Sequence, residues 1–262
     1  GIRLCEGGGS PEADYFLGRL FHAHGQEANA LRHLDLALEQ DPRLGGARLE
    51  RGLLLAEQYG RELERELWRF AGRRPQDRPL APEQCETAAG AGALRARAIA
   101  DLSADFGEGA YFRPADGLFG RAELSRMRWD WPEAEKGLHA VLAADPMYAR
   151  AWLALAHTAY AQLEFEDAER CATKAIDLHK GLAAAYRVRS QAVFWRADAA
   201  RGAAEVASWR ERSLADAEEA IRLGDAAFAA RGNARWMTGD YAGARADFDR
   251  DLELVPRDAL TW

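Results

Sequence analysis

Similar endings recur along the chain and constrain its fold more than any other feature of the sequence. ALEQDP ends at Pro42, VLAADP at Pro146, AIDLHK at Lys180 and DLELVP at Pro256, and the step from Pro146 to Lys180 is 34 residues. A period of this length is typical of arrays built from small helical units. One unit cannot cover its own apolar face, so neighbouring units must stack.

The segment between Pro146 and Lys180 contains two helical patterns separated by the polar stretch EFED. In each pattern, apolar and small residues recur at the spacing of one helical face. The first set is Trp152, Leu155, Ala156 and Ala159, and the second is Ala168, Ala172, Ala175 and Ile176. We therefore expect each unit to be two antiparallel helices joined by a tight turn.

The spacing and residue types resemble the tetratricopeptide repeat. Residues 228–256 match this family at Phe228, Gly232, Gly239, Ala244, Phe248 and Pro256. The first unit matches at Leu17, Gly18, Phe21, Gly25, Ala30, Leu34, Ala37 and Pro42. Small residues at these positions allow two helices to approach closely. This packing explains the presence of glycine, which lowers the stability of a helix by about 1 kcal/mol relative to alanine. The resemblance implies an all-α fold, an α-solenoid of antiparallel helix pairs forming a tetratricopeptide-like superhelix.

The register divides the chain into seven predicted segments. They are a linker (1–10), two repeat units (11–76), an irregular connector (77–113), two units (114–180), a unit with lengthened helices (181–226), a further unit (227–256) and the start of a truncated repeat (257–262). Counted from Pro256, Trp262 takes the place that Trp152 has after Pro146. The chain is therefore expected to continue beyond Trp262.

Three of these segments carry more detailed predictions. Residues 43–76 are predicted to form a helix pair with Gly52 at the close contact, and Leu63, Leu67 and Phe70 on the apolar face of its second helix. The connector is expected to hold a helix from about Pro82 to Asp105, interrupted at Gly90 and Gly92. In the long unit, two helices should meet near Arg201 and Gly202, with Trp195 and Trp209 covering the extension.

Composition narrows the function classes. The formal net charge is −7 and no basic block is present, which argues against nucleic acid as the main partner. No apolar run reaches about 18 residues, so no membrane span is expected. Cys5, Cys85 and Cys171 are far apart, as lone thiols in a reducing, cytoplasmic compartment would be. Arginine greatly outnumbers lysine, a bias common in GC-rich bacterial genes.

The sequence contains no recognisable catalytic, metal or cofactor motif. His22 and His24 are two residues apart on a helix and point to different sides, so together with His33 they do not form a zinc site. No lysine-serine or lysine-threonine pair follows the glycines of EGGGS, as a phosphate loop requires. We therefore expect neither an enzyme nor a bound metal or cofactor.

The family resemblance implies a partner-binding groove lined by the first helix of each pair. The corresponding positions are Tyr15, Arg19 and His22, then Arg150, His157 and Tyr160, then Arg187, Gln191 and Phe194, and finally Asn233 and Trp236. Aromatic and arginine side chains are frequent anchors of binding surfaces. The alternative for Phe194 and Trp236 is packing against a neighbouring helix. A clamp for a chaperone's C-terminal carboxylate is not expected, because Tyr15 and Arg19 replace its lysine and asparagine.

The leading hypothesis is a protein-interaction scaffold that binds a peptide or helix of a protein partner. The alternative is a regulatory or substrate-recruiting region of a larger bacterial signalling enzyme, because the layout of repeats and connector resembles the tails of some bacterial serine/threonine protein kinases. Helical-repeat RNA binding is a third class, which the acidic charge disfavours, and an unrecognised hydrolase is a fourth. The oligomeric state stays open.

Overall fold

The computed structural model describes residues 9–70, 89–104, 113–199 and 203–253. Across these ranges the chain forms twelve α-helices and no strand, which confirms the predicted all-α class. It divides into an N-terminal unit (Gly1–Gly72 and Leu80–Ala144) and a C-terminal unit (Arg73–Pro79 and Asp145–Trp262).

In its described residues, the N-terminal unit contains three helix pairs. Its helices are α1 (Pro11–Ala23), α2 (Glu27–Gln40), α3 (Gly45–Phe70), α4 (Ala89–Leu102), α5 (Pro114–Met127) and α6 (Trp131–Ala144). The pairs are α1 with α2, α3 with α4 and α5 with α6. The first helices also contact each other, α1 with α3 and α3 with α5, so they form one layer.

Local sequence explains how the first pair forms. Ser10 caps α1 by accepting a hydrogen bond from the backbone N–H of Ala13, and Pro11 starts the helix where its missing N–H costs nothing. A Cβ atom at Gly18 would lie 2.7 Å from Cγ of Leu34 on α2. Glycine is therefore required here for the two helices to pack closely.

The second pair differs from our expectation. We predicted a turn between two helices within 43–76, but α3 runs unbroken from Gly45 to Phe70 through Gly60. Its partner is α4, which lies in the segment assigned to the connector. The buried face of α3 continues past the first turns, through Leu53, Leu54 and Tyr59, which offsets the modest helix cost of one glycine. Gly52 is the close contact, since a Cβ there would lie 2.9 Å from Cγ of Leu102.

The helix α4 also corrects the expected interruption in the connector, because it passes through Gly90 and Gly92 without a break. Other details lie outside the described residues: the linker before Gly9, Cys5, Cys85, the start of the predicted connector helix at Pro82, its end at Asp105, the junction at Arg201 and Gly202, and the repeat start at 257–262. The side chains of Leu63, Leu67 and Phe70 lie outside them as well. The seven segment boundaries stay predictions.

The C-terminal unit repeats the same plan. Its helices are α7 (Ala149–Ala161), α8 (Phe165–Leu178), α9 (Ala183–Ala199), α10 (Ala203–Arg222), α11 (Phe228–Thr238) and α12 (Tyr241–Glu253). Each odd-numbered helix pairs with the next one, and α9 also packs against both α7 and α11. With 17 and 20 residues, α9 and α10 are the longest helices of this unit.

The two tryptophans of the long pair, which were expected to cover its extension, make different contacts from each other. Trp195 donates its indole N–H to the hydroxyl oxygen of Tyr160 on α7, at 3.0 Å, and stacks on Phe165 of α8. The ring of Trp209 on α10 lies 4.9 Å from the guanidinium carbon of Arg196 on α9. Trp195 therefore joins the long pair to the preceding one.

Candidate functional site

The predicted groove residues of α1 are engaged within the protein. Tyr15 is buried and packs against Gly46, where a Cβ would lie 3.0 Å from the tyrosine ring. Burial raises the pKa of Tyr15, and the nearby Arg19 opposes this rise. Nη1 of Arg19 donates to the tyrosine hydroxyl at 3.4 Å, and its guanidinium lies over the ring.

His22, the third predicted residue on α1, bridges to α3. Its Nδ1 lies 2.8 Å from a carboxylate oxygen of Glu50, and its Nε2 lies 3.1 Å from one of Glu57. Glu50 and Glu57 are seven residues apart and therefore share one face of α3. The bridge connects two first helices, so His22 stabilises contacts between successive pairs.

Two predicted groove residues on α9 are buried. Arg187 is 6% exposed and pairs with Asp225, which follows α10, with Nε to Oδ1 at 3.1 Å. Gln191 is 3% exposed, and its Oε1 has no hydrogen-bond partner among the residues that the structure describes. Neither side chain can contact a partner in this conformation.

The remaining predicted residues of the C-terminal unit are more accessible. Arg150, His157, Tyr160, Phe194 and Asn233 are half-buried, and Trp236 is 57% exposed. Burial raises the pKa of Tyr160, and its hydrogen bond from Trp195 partly opposes this rise. The first helices α7, α9 and α11 thus place aromatic side chains at matching register positions, Tyr160, Phe194 and Trp236.

The structure also reveals an arginine–aspartate contact that the sequence analysis missed. In three pairs, an arginine on the first helix donates two hydrogen bonds, from Nε and Nη2, to one aspartate on the second helix. These pairs are Arg51 with Asp101 at 2.7 and 2.8 Å, Arg189 with Asp216 at 2.8 and 2.7 Å, and Arg231 with Asp247 at 2.9 and 2.6 Å. We call these contacts the arginine clamps.

A sequence signal for the arginine clamps exists. Each arginine directly precedes the small residue at the close contact of its helix, giving the dipeptides Arg51-Gly52, Arg189-Ser190 and Arg231-Gly232. The hydrogen bonds that Arg51 donates to Asp101 raise the pKa of Arg51, and those that Arg231 donates to Asp247 raise the pKa of Arg231. The clamps are strong, charge-assisted contacts that fix the two helices of a pair.

The described part of the chain contains neither a metal-binding cluster nor a membrane-spanning helix. No group of three or more His, Cys, Asp or Glu side chains in ranges 9–70, 89–104, 113–199 and 203–253 could hold a metal ion. Within the same ranges, no helix combines the length and apolar character that a membrane span requires.

Comparison with known proteins identifies the fold. No protein-family model and no curated protein sequence matches the chain. A monomeric mutant of IFIT1 with Gppp-AAAA superposes over 95% of this chain with a TM-score of 0.60 and 13% identity. The fold is of the tetratricopeptide type. The chain spans about half of the IFIT1 chain, 51% of its length.

Two further solved structures are more distant. PilF of Pseudomonas aeruginosa matches with a TM-score of 0.45 and 14% identity over 90% of this chain and 88% of its own. MamA of MSR-1 matches with a TM-score of 0.43 and 11% identity over 62% of this chain and 88% of its own. Nothing in the comparisons supports the likeness to kinase tails.

Proposed function

We propose that the chain is a protein-interaction scaffold whose C-terminal unit binds a peptide or helix of a partner protein on the layer formed by α7, α9 and α11. The exposed indole of Trp236 is the observation that carries this proposal. A tryptophan on a helix surface exposes a large apolar area to water, and such side chains are frequent anchors of protein interfaces.

The proposed contact surface combines accessible residues of the three first helices α7, α9 and α11. It consists of Arg150, His157, Tyr160, Phe194, Asn233 and Trp236, all at least partly accessible. Arg187 and Gln191 lie below this surface and support it. Arg187→Ala would leave Asp225 buried without its ion pair, so loss of binding in that variant would not distinguish a contact from a folding defect.

The N-terminal unit is a weaker candidate for the partner site. Tyr15, Arg19 and His22 are held by contacts within α1 or across to α3. A partner that used Arg19 or His22 would have to replace these contacts, which reduces the free energy available for binding. A partner that binds Trp236 contacts a side chain that is already 57% exposed to water.

A peptide selection tests the proposal. A random peptide library displayed on phage is panned against the full chain, and the affinity of selected peptides is measured by fluorescence polarisation. We expect Trp236→Ala to weaken binding at least tenfold, since loss of an interface anchor costs about 2 kcal/mol or more. The matched control is Tyr241→Ala, which removes another exposed aromatic ring, 66% accessible, from α12 rather than from a first helix.

The possible results are clearly separated. Binding that depends on Trp236 and not on Tyr241 supports the proposed surface. Binding that is unchanged in Trp236→Ala, or the failure of the library to yield any binder, contradicts it. A Gppp-capped oligonucleotide serves as a further probe, because IFIT1 was solved with Gppp-AAAA. Binding of that oligonucleotide without any peptide binding would favour a nucleic-acid ligand instead.

A further inference from the structure

The ring of His22 joins two carboxylates across the N-terminal unit. The distances are 2.8 Å to Glu50 and 3.1 Å to Glu57, and the side chains of His22 and Glu50 are only 12% and 13% exposed. We propose that His22 is a proton-controlled joint: the protonated ring holds α1 to α3, and loss of its proton loosens the α1–α2 pair from the rest of the unit.

The hydrogen-bond chemistry requires the charged ring. An ionised carboxylate only accepts hydrogen bonds, so a nitrogen that bonds to it must carry a proton. Neutral imidazole carries one N–H, whereas both ring nitrogens of His22 face carboxylate oxygens. The alternative is a neutral ring beside a protonated Glu50 or Glu57. It is disfavoured because imidazole is ordinarily the stronger base, with a pKa of about 6.5 against about 4.3 for glutamate, and Glu57 is also 41% exposed to water.

His33 in the same helix pair shows the opposite arrangement. Its Nδ1 lies 2.8 Å from the carboxylate of Asp14, but its Nε2 lies 3.2 Å from Nη2 of Arg32. Arginine can only donate, so Nε2 of His33 accepts and Nδ1 carries the single proton. The unit therefore contains an internal reference, a buried histidine that bonds as the neutral ring.

Other charged groups surround the bridge. On α1, Arg19 adds positive charge one turn before His22. On α5, which packs against α3, Arg126 is attracted by Glu57 and held by Glu123 at 2.8 Å. Asp116 of α5 and Glu50 both act electrostatically on Tyr15 of α1.

The two carboxylates make the bridge sensitive to protonation. Both lie on α3 and stabilise a positive ring. When the ring is neutral, one nitrogen presents a lone pair to a carboxylate, and an attractive contact becomes a repulsive one. Because the bridge connects first helices, its loss acts on the contact between successive pairs rather than within one pair.

Nitrogen NMR of histidine-labelled full chain tests the protonation state directly. At pH 7 we expect both ring nitrogens of His22 to show the shifts of protonated nitrogen. The His22 signals are identified by their absence in His22→Gln. A bare nitrogen on His22 at pH 7 would overturn the proposal.

Hydrogen exchange tests the mechanical role. After correction for intrinsic base catalysis, amide protection in α1 and α2 should fall over the pH range in which His22 loses its proton, while protection in α6 stays constant. In Glu57→Gln, both the deprotonation of His22 and the loss of protection should move to lower pH. If amide protection in the wild-type chain does not change over the pH range in which His22 loses its proton, the proposal is wrong. This outcome does not depend on whether Glu57→Gln folds.

Discussion

The first helices of the two units pack in the same way but carry different chemistry. In the N-terminal unit, α1 and α3 are joined by the ionic bridge of His22 to Glu50 and Glu57. In the C-terminal unit, the corresponding region joins pairs through rings, with Trp195 bonded to Tyr160, and leaves Trp236 exposed. One helical layer can therefore be used for internal charge pairing or for presenting an aromatic surface.

The difference shows which positions the fold constrains. Both units need close contacts between the helices of a pair, and both meet this need with small residues: Gly18 lies against Leu34, and Gly232 against Phe248. Both also use arginine clamps. The outer positions of the first helices have no such requirement, so their side chains can differ between units without changing the architecture.

The largest expected effect comes from breaking an arginine clamp in the C-terminal unit. Asp247 is 3% exposed and accepts hydrogen bonds from both Arg231 and Arg235. Asp247→Ala removes the partner of two arginines that are partly accessible to water, so we expect a loss of about 2–3 kcal/mol in the free energy of unfolding, measured by urea denaturation.

The matched variant in the N-terminal unit is Asp101→Ala. Arg51 also donates to Asp35 of α2 at 2.7 Å, so it keeps one carboxylate when Asp101 is removed. We expect a smaller loss, roughly 1–2 kcal/mol. If the two variants lose the same stability, or if Asp101→Ala loses more, this second carboxylate does not support the clamp.

The next effect concerns the aromatic contact between α7 and α9. Tyr160→Phe removes the acceptor of the Trp195 indole N–H, which should cost about 1 kcal/mol. Because burial raises the pKa of Tyr160, the folded chain keeps a phenol proton that the unfolded chain loses above about pH 10. The contribution of Tyr160 to stability is thus present below that pH and declines above it.

The pH dependence of stability tests the role of Tyr160 most directly. The fall in stability on going from pH 9 to pH 11, measured by urea denaturation, should be smaller in Tyr160→Phe than in the wild-type chain. Tyr241→Phe is the control, since the Tyr241 ring on α12 is 66% exposed to water. If the free energy of unfolding falls as much between pH 9 and pH 11 in Tyr160→Phe as in the wild-type chain, Tyr160 does not stay protonated in the folded state.

The fold was predictable because its determinants are local and repeated. The period of 34 residues and the small residues such as Gly18 and Gly232 report helix contacts that the structure contains. The prediction was wrong for residues 43–76, where the polar stretch around Gly60 resembles a turn. Whether a helix continues through such a stretch depends on its partner, and α4 is far away in sequence.

The candidate site was less predictable for a related reason. Helical register places Arg187, Gln191 and Trp236 on first helices, but it does not show how deeply each side chain lies. Arg187 is buried because Asp225, 38 residues later, supplies its partner. Glu50 and Glu57 likewise decide the environment of His22 from another helix. These pairs join residues that are far apart in sequence, so a single sequence does not predict them.

The smallest effect tests the region where the sequence prediction was wrong. Gly60 lies inside α3, and a Cβ at this position would meet none of the described atoms within 4 Å. Gly60→Ala should therefore raise the free energy of unfolding by about 0.5–1 kcal/mol, because alanine favours the helix and no atom must move. Thermal or urea denaturation measures the change.

Gly18→Ala is the control for this substitution, made inside another first helix of the same unit. Its new Cβ would lie 2.7 Å from Leu34, so the same chemical change should destabilise the chain by about 1–3 kcal/mol. If Gly60→Ala raises the free energy of unfolding and Gly18→Ala lowers it, α3 is continuous at Gly60 and α1 packs closely on α2 at Gly18. A loss of stability in Gly60→Ala would instead contradict a continuous α3 and favour the helix pair first expected within residues 43–76.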